Sequence, residues 1–343
     1  MENESEIRKN FDFTNIEGLS QEISHSYNRD VFNGEIFFSR YGMDRNLKNY
    51  ANFPLNNKIH ALFEHGILIT DYVGGAFRIH EYLPSIVASK YRVNVLKNQE
   101  NFHGAYAIGP YIHYVDPLLS QEDLKAEKEE LGNTLLVFPS HSIEEVNCQF
   151  DYNQFIENIN SIGKDYDTVR ICLYYNDILL KKHIPYLNEG FEVVTAGHYN
   201  DYYFLPRLRS IIENSDMTMS NDFGTQLGYC IYLNKPHFIN KLDVKYEESE
   251  NKILKKNTSE ATQKLDGNDN LSKINELFSQ YDTDISKDQY DLVSYLWGFD
   301  EVKTSNELNR LFLDINNNYS SFKYYLSCCK RFKDFMSIKL GRG

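Results

Sequence analysis

Asn214-Ser-Asp-Met-Thr-Met-Ser220-Asn-Asp-Phe-Gly224-Thr-Gln-Leu-Gly-Tyr-Cys-Ile-Tyr-Leu233-Asn-Lys-Pro-His237-Phe-Ile239 is the stretch whose reading decides the fold. Met217, Thr218 and Met219 suit a short buried strand, because a parallel strand covered on both faces loses clean apolar–polar alternation. Ser220 to Thr225 is then a polar turn closing on a helix start. Leu227 to Leu233 supplies the helix's apolar face, Asn234-Lys235-Pro236 ends it, and His237-Phe238-Ile239 opens the next strand. In an open α/β sheet this unit sets small polar side chains and bare helix N–H groups at the carboxyl edge, where a phosphate or diphosphate binds. A plainer reading has Ser220 and Asn221 simply capping the helix.

Working upstream, the same unit recurs. Asn133–Pro139, Thr168–Leu173 and Phe191–Thr195 read as strands. Asp151–Gly163, Ile178–Glu189 and Phe204–Asn214 read as the helices between them. The turns at the strand ends are polar: Ser140-His141-Ser142 and Gly197-His198-Tyr199-Asn200-Asp201. The spacing predicts four βα repeats, a Rossmann-like half. Before it, Lys58–Glu64, Leu83–Ser89 and Gly104–Gly109 read as strands with a helix over Lys90–Gln99, and Phe32–Phe38 as a further strand. This is a second half of the same kind. Ser120–Gly132 is a charge-dense amphipathic helix between the halves. Downstream, Lys241–Asp288 is a polar, partly helical excursion, and Gln289–Phe299 and Ser305–Ile315 are closing helices. The expected fold is α/β, with two Rossmann-like domains facing a cleft and helices at the C-terminal end. The boundaries are 1–131 for an acceptor domain, 132–300 for a nucleotide-donor domain, and 301–343 for a helical, basic tail.

Composition narrows the function. The chain has 343 residues, 41% of them hydrophobic and 14% aromatic, enough to bury cores in two domains. A net charge of −13 weighs against nucleic acid, which needs a basic face. Five cysteines, odd in number and without CxxC or Cys/His metal spacing, read as reduced thiols of a cytoplasmic protein. The start is acidic and lacks an apolar signal core, and no run approaches the length of a membrane span. From Ser321 to Gly343, six basic residues stand against one acidic, interleaved with Phe322, Tyr325, Phe332 and Phe335. That composition fits either a helix packed back on the protein or a peripheral contact with the inner face of a membrane.

Three histidines fall at strand ends. His65, beside Glu64 and before Gly66, is a candidate general base; His141 and His198 are candidate phosphate donors. No metal-binding triad stands out, so no metal is expected.

These residues carry a resemblance. Glu64-His65-Gly66, Ile86-Val-Ala-Ser89, Ala107-Ile-Gly-Pro110, Gly197-His198-Tyr199-Asn200-Asp201 and Ser215-Asp-Met-Thr-Met-Ser220 resemble bacterial capsule, teichoic-acid and surface-polysaccharide transferases of GT-B type, the CDP-glycerol glycerophosphotransferase group above all. The resemblance covers roughly residues 58–239. It implies that His65 activates the acceptor, and that His198, Ser220, Asn221 and Thr225 hold the donor phosphate; the strand-end turns and the helix start add Ser140, His141, Ser142 and Gly224 to that site as candidates. The chain departs from the pattern at Asn221-Asp222, where a paired serine is expected, and at Pro110-Tyr111. Those departures favour a sugar nucleotide as donor and keep CMP-sugar-using transferases open. The implied activity is a metal-independent glycosyltransferase or polyol-phosphate transferase acting on a glycan or lipid-linked acceptor. The alternatives are a UDP-sugar 2-epimerase-like enzyme, or a non-catalytic scaffold of a polysaccharide assembly.

Overall fold

The computed structural model describes residues 12–21, 40–73, 83–98, 102–142, 146–247, 264 and 267–319. After a short helix α1 (Ile16–Ser20) comes α2 (Met43–Tyr50). Then β1 (Leu62–Phe63), β2 (Ser85–Val87) and β3 (Ala105–Ala107) form a parallel three-stranded sheet, with α3 (Lys90–Lys97) between β2 and β3. Ser89 caps α3 through Arg92 N, and Ser120 caps α4 (Gln121–Leu131) through Asp123 N.

The second sheet is built from β4 (Thr134–Phe138), β6 (Thr168–Cys172), β7 (Glu192–Val194), β8 (Met217–Ser220) and β9 (His237–Ile239). All are parallel, in the spatial order β7-β6-β4-β8-β9. Counted within this half, that order is 3-2-1-4-5, the doubly wound arrangement. Strand alternation explains the layers. Leu135 and Val137 of β4 enter one core with Phe155, Ile156 and Ile159 of α5 (Tyr152–Gly163). Leu136 and Phe138 enter the other, with residues of α8 (Phe204–Glu213) and α9 (Thr225–Tyr232). The helix after β4 therefore covers one face and the helix after β8 the other. The chain's winding reverses between β4 and β8, which is the switch point of the sheet.

Several expectations need adjusting. The single helix read over Ile178–Glu189 is two, α6 (Tyr175–Leu179) and α7 (Ile184–Asn188). Lys181 takes a positive φ of 61° between them, and Pro185, which cannot donate in a helix interior, starts the second. A two-stranded antiparallel ribbon, β5 (Cys148–Gln149) with β10 (Lys245–Tyr246), was not expected. The polar excursion contributes α10 (Asp269–Phe278), whose Ile274 and Phe278 are fully buried. α11 (Lys287–Trp297) and α12 (Ser305–Asn318) follow, each opened by a capping box. The strand read over 32–38 and the tail 321–343 lie outside the described residues. Among the described residues, no helix is long and apolar enough to cross a membrane.

Candidate functional site

A cavity of about 350 Å³ lies at the carboxyl edge of the five-stranded sheet. Four of its strands contribute the residues that follow them: Pro139, Ser140 and His141 after β4, Leu173 and Tyr174 after β6, Ala196 after β7, and Asp222 to Gln226 after β8. Tyr41, Met43, His65, Gly66, Ile67 and Tyr111 close it from the first part of the chain. The switch point is where a doubly wound sheet opens such a crevice, because neighbouring loops there leave on opposite faces.

The turn after β8 resolves the capping question. The N-cap of α9 is Gly224, and no side chain caps the helix. Ser220 is buried; its Oγ donates to the Asp222 carbonyl at 2.7 Å and lies 3.0 Å from His237 Nε2. Asn221, also buried, accepts from Ser140 N through Oδ1 at 2.7 Å, tying the β4 and β8 loops together. Neither residue caps α9. The helix start at Gly224, Thr225 and Gln226 is left open at the cavity wall.

Of the ten residues singled out by sequence, His65, Ser140, His141, Gly224 and Thr225 line the cavity. Glu64, Ser142, His198, Ser220 and Asn221 do not. Glu64 is buried in an ion pair with Arg92, whose Nε lies 2.8 and 2.9 Å from the two carboxylate oxygens. Burial raises its pKa and the guanidinium pulls it back. Ser142 is saturated: Oγ donates to Asp177 at 2.7 Å and accepts from Lys182 at 2.8 Å and from Cys148 N at 3.0 Å. His198 is covered by the rings of Tyr175 and Tyr199, at 4.4 and 4.5 Å between centroids, and its Nδ1 accepts from Asn200 N. These five residues hold the loops whose other residues reach the cavity.

His65 sits in the wall with Nε2 3.2 Å from Arg40 Nη1. Burial, and then the Arg40 charge, lower its pKa from 6.5 to about 3, so the ring is neutral at physiological pH. His141 is exposed, its Nδ1 donating to its neighbour's carbonyl and its ring 4.4 Å from that of Tyr174. Thr225 Oγ1 accepts from Ile67 N at 3.1 Å, which docks the His65 loop on the start of α9.

Sequence reasoning missed Arg40, Tyr41, Tyr174, Asp222 and Gln226. Tyr174 stands at the end of β6, where the carboxyl-edge rule that picked out Ser140 could have found it. Asp222 is the one carboxylate among the described residues lining the cavity, and it pairs with Lys241. Arg40 and Tyr41 come from a stretch without periodicity, where only the Gly42 before α2 marks a turn. Among the described residues, no group of three or more His, Cys, Asp or Glu is placed to hold a metal ion.

Fold and site together define an α/β protein with a Rossmann-like parallel sheet and a ligand-sized cavity at its switch point. No protein-family model matches the chain, and no curated protein matches it. Among solved structures it is similar to the wall teichoic acid polymerase TagF, at 15% identity and a TM-score of 0.39, over 77% of this chain and 69% of that one. It is similar to MnaA of S. aureus in complex with UDP, at 12% identity and a TM-score of 0.38, over 90% and 85% of the two chains. The pneumococcal O-GlcNAc transferase GtfA, with UDP and GlcNAc, is 11% identical at a TM-score of 0.32, over 80% of this chain and 52% of that one.

Proposed function

We propose that this protein is a metal-independent transferase using a nucleotide-activated donor, a glycosyltransferase or polyol-phosphate transferase of GT-B type in bacterial surface-polysaccharide synthesis. The observation that carries the reading is the convergence of the β4 and β8 loops and the open N-terminus of α9 on one cavity at the switch point. In this reading the donor phosphate lies over Gly224 and Thr225. The helix N–H groups and dipole there stabilise the charge that grows on the phosphate as its bond to the transferred group breaks. Ser140 and His141 flank it. His65 stands at the reacting end, on the side where a glycan or lipid-linked acceptor would enter. Residues 321–343 would bring the enzyme to the anionic inner face of the membrane, each basic residue contributing about 1 kcal/mol. Loss of sedimentation with anionic vesicles on deleting 321–343, with nucleotide binding kept, tests that part.

The central test is a thermal melt with CMP, CDP, UDP, GDP and ADP. A ligand at about 100 times its dissociation constant stabilises the native state by about 2.7 kcal/mol. No shift with any of the five would sink the donor reading and leave a non-catalytic scaffold. Asp222 favours a second reading, a UDP-sugar 2-epimerase, because proton transfer at a sugar carbon asks for a carboxylate in the cavity. Conversion of a UDP-sugar without any acceptor would decide for it.

A further inference from the structure

We propose that Arg40, behind the cavity wall, is the cation whose charge attracts the donor's phosphate, and that His65 is the positioning residue that holds it there. This rests on the donor reading above. Arg40 Nη1 lies 3.2 Å from His65 Nε2. A guanidinium only donates and keeps its charge, so Nε2 must accept, and the proton of the neutral ring is assigned to Nδ1. The same guanidinium lies over the Tyr199 ring, 5.3 Å from its centroid.

The backbone is set to match. Tyr41 has φ 58° and Gly42 φ 69°. Tyr41 N donates to the Tyr199 carbonyl at 2.5 Å, and a Cβ on Gly42 would fall 2.2 Å from the Tyr202 carbonyl oxygen. A bulky aromatic residue in the left-handed region is strained, and such strain persists where the surroundings over-determine it. Here it fixes Arg40 behind His65 and puts Tyr41 in the cavity wall.

The charge is felt at the wall. Arg40 adds to the burial that lowers His65, and it opposes the upward push of burial on Tyr174, whose hydroxyl bonds that of Tyr41. On its other side the His65 loop rests on α9 through Ile67 N and Thr225. The guanidinium and the helix N-terminus thus bracket one short loop, and an anion in the cavity is attracted by both. A general-base role asks His65 for a lone pair that Arg40 already occupies, and a proton placed there would face a guanidinium.

The variants separate these roles. Binding of the tightest nucleotide among CMP, CDP, UDP, GDP and ADP is measured for wild type, Arg40→Ala, Arg40→Lys, His65→Ala and His65→Gln. Melts without nucleotide serve as the fold control. Glutamine's amide oxygen reaches the position of Nε2 and can accept from Arg40, but it is no base. Expected are a loss of about tenfold or more for Arg40→Ala and His65→Ala, partial retention for Arg40→Lys, and recovery of Arg40→Ala by added guanidinium ion. His65→Gln should keep affinity within a few-fold of wild type. Wild-type affinity in Arg40→Ala overturns the proposal, as does a His65→Gln that falls as far as His65→Ala. A wild-type protein that binds none of the five nucleotides removes the donor reading, and this proposal with it.

Discussion

His237 lies between two hydroxyls, with Thr218 Oγ1 2.7 Å from Nδ1 and Ser220 Oγ 3.0 Å from Nε2, and it is 3% exposed. Burial lowers its pKa from 6.5 to about 3. Between those values the unfolded chain binds a proton that the folded chain does not. Stability therefore rises with pH through that window, and acidification below about 6.5 erodes it by about 1.4 kcal/mol per pH unit for this one ring. Urea melts from pH 4 to 7 should show a shallower slope in His237→Gln by that amount, and parallel slopes would mean that the ring is charged in the folded state. In the neighbouring turn, substitutions can tell a binding role from a structural one. Gly224 has an extended φ of −162°, and a Cβ there meets only the flexible amide end of Gln226, at 2.2 Å. Gly224→Val should cut nucleotide affinity at least tenfold while moving the melting temperature by no more than about 2 °C. Ser220→Ala should do the reverse, costing about 1 kcal/mol of stability with affinity unchanged, because its oxygen serves His237 and the Asp222 carbonyl. Loss of binding in Ser220→Ala at wild-type stability would put Ser220 back among the phosphate ligands.

At the scale of elements, what the sequence disclosed was what short-range patterning controls. β8, the turn and α9 were legible because three buried strand residues, a polar turn, an apolar helix face and a closing proline follow one another within one stretch. α2 was not, because its N-cap is a left-handed glycine and its apolar face is only Met43 and Leu47. The cavity residues divide the same way. Ser140 and His141 follow a strand, whereas Tyr41 in the wall, and Arg40 behind His65, are placed through contacts with residues 199–204, about 160 positions away in the chain. Packing at that separation leaves no periodic trace. The α9–α11 contact is one such case with a measurable consequence. A Cβ on Gly228 would fall 2.1 Å from the Trp297 indole, which is fully buried and donates from Nε1 to the Thr225 carbonyl at 3.1 Å. Gly228→Ala should cost about 1–3 kcal/mol, read as a lowered urea midpoint with unchanged slope. Trp297 is the chain's single tryptophan. Bonded to the first turn of α9, it should report an anion at that helix start by a change in intrinsic fluorescence that follows the nucleotide binding curve. A silent tryptophan alongside calorimetric binding would move the phosphate elsewhere.

The whole molecule is joined more closely than two facing domains require. Phe63 and Ile86 of the first sheet, and Ile108 just after β3, share one core with Leu136, Val194 and Ile239 of the second, and with Leu227 and Trp297 of α9 and α11. The last described helix returns to the beginning. Phe312 of α12 packs edge-on against Phe53 at 5.5 Å and Phe63 at 6.5 Å between centroids. Asn316 holds His60 N and the Lys58 carbonyl at 3.0 and 2.7 Å, and Asn309 holds the Ala51 carbonyl at 2.9 Å. Removing either part would strip apolar surface from the other, at about 25 cal/mol for each Å² exposed. The sheets should therefore melt together. Calorimetry should give one transition whose calorimetric and van't Hoff enthalpies agree, although a chain of this length often unfolds in steps. Phe312→Ala, at the ring that packs on Phe53 and Phe63, should lower that single transition by about 3–5 kcal/mol of stability without splitting it. Two resolved transitions, with only the lower one moved by Phe312→Ala, would show that the shared core is an interface between units that fold on their own.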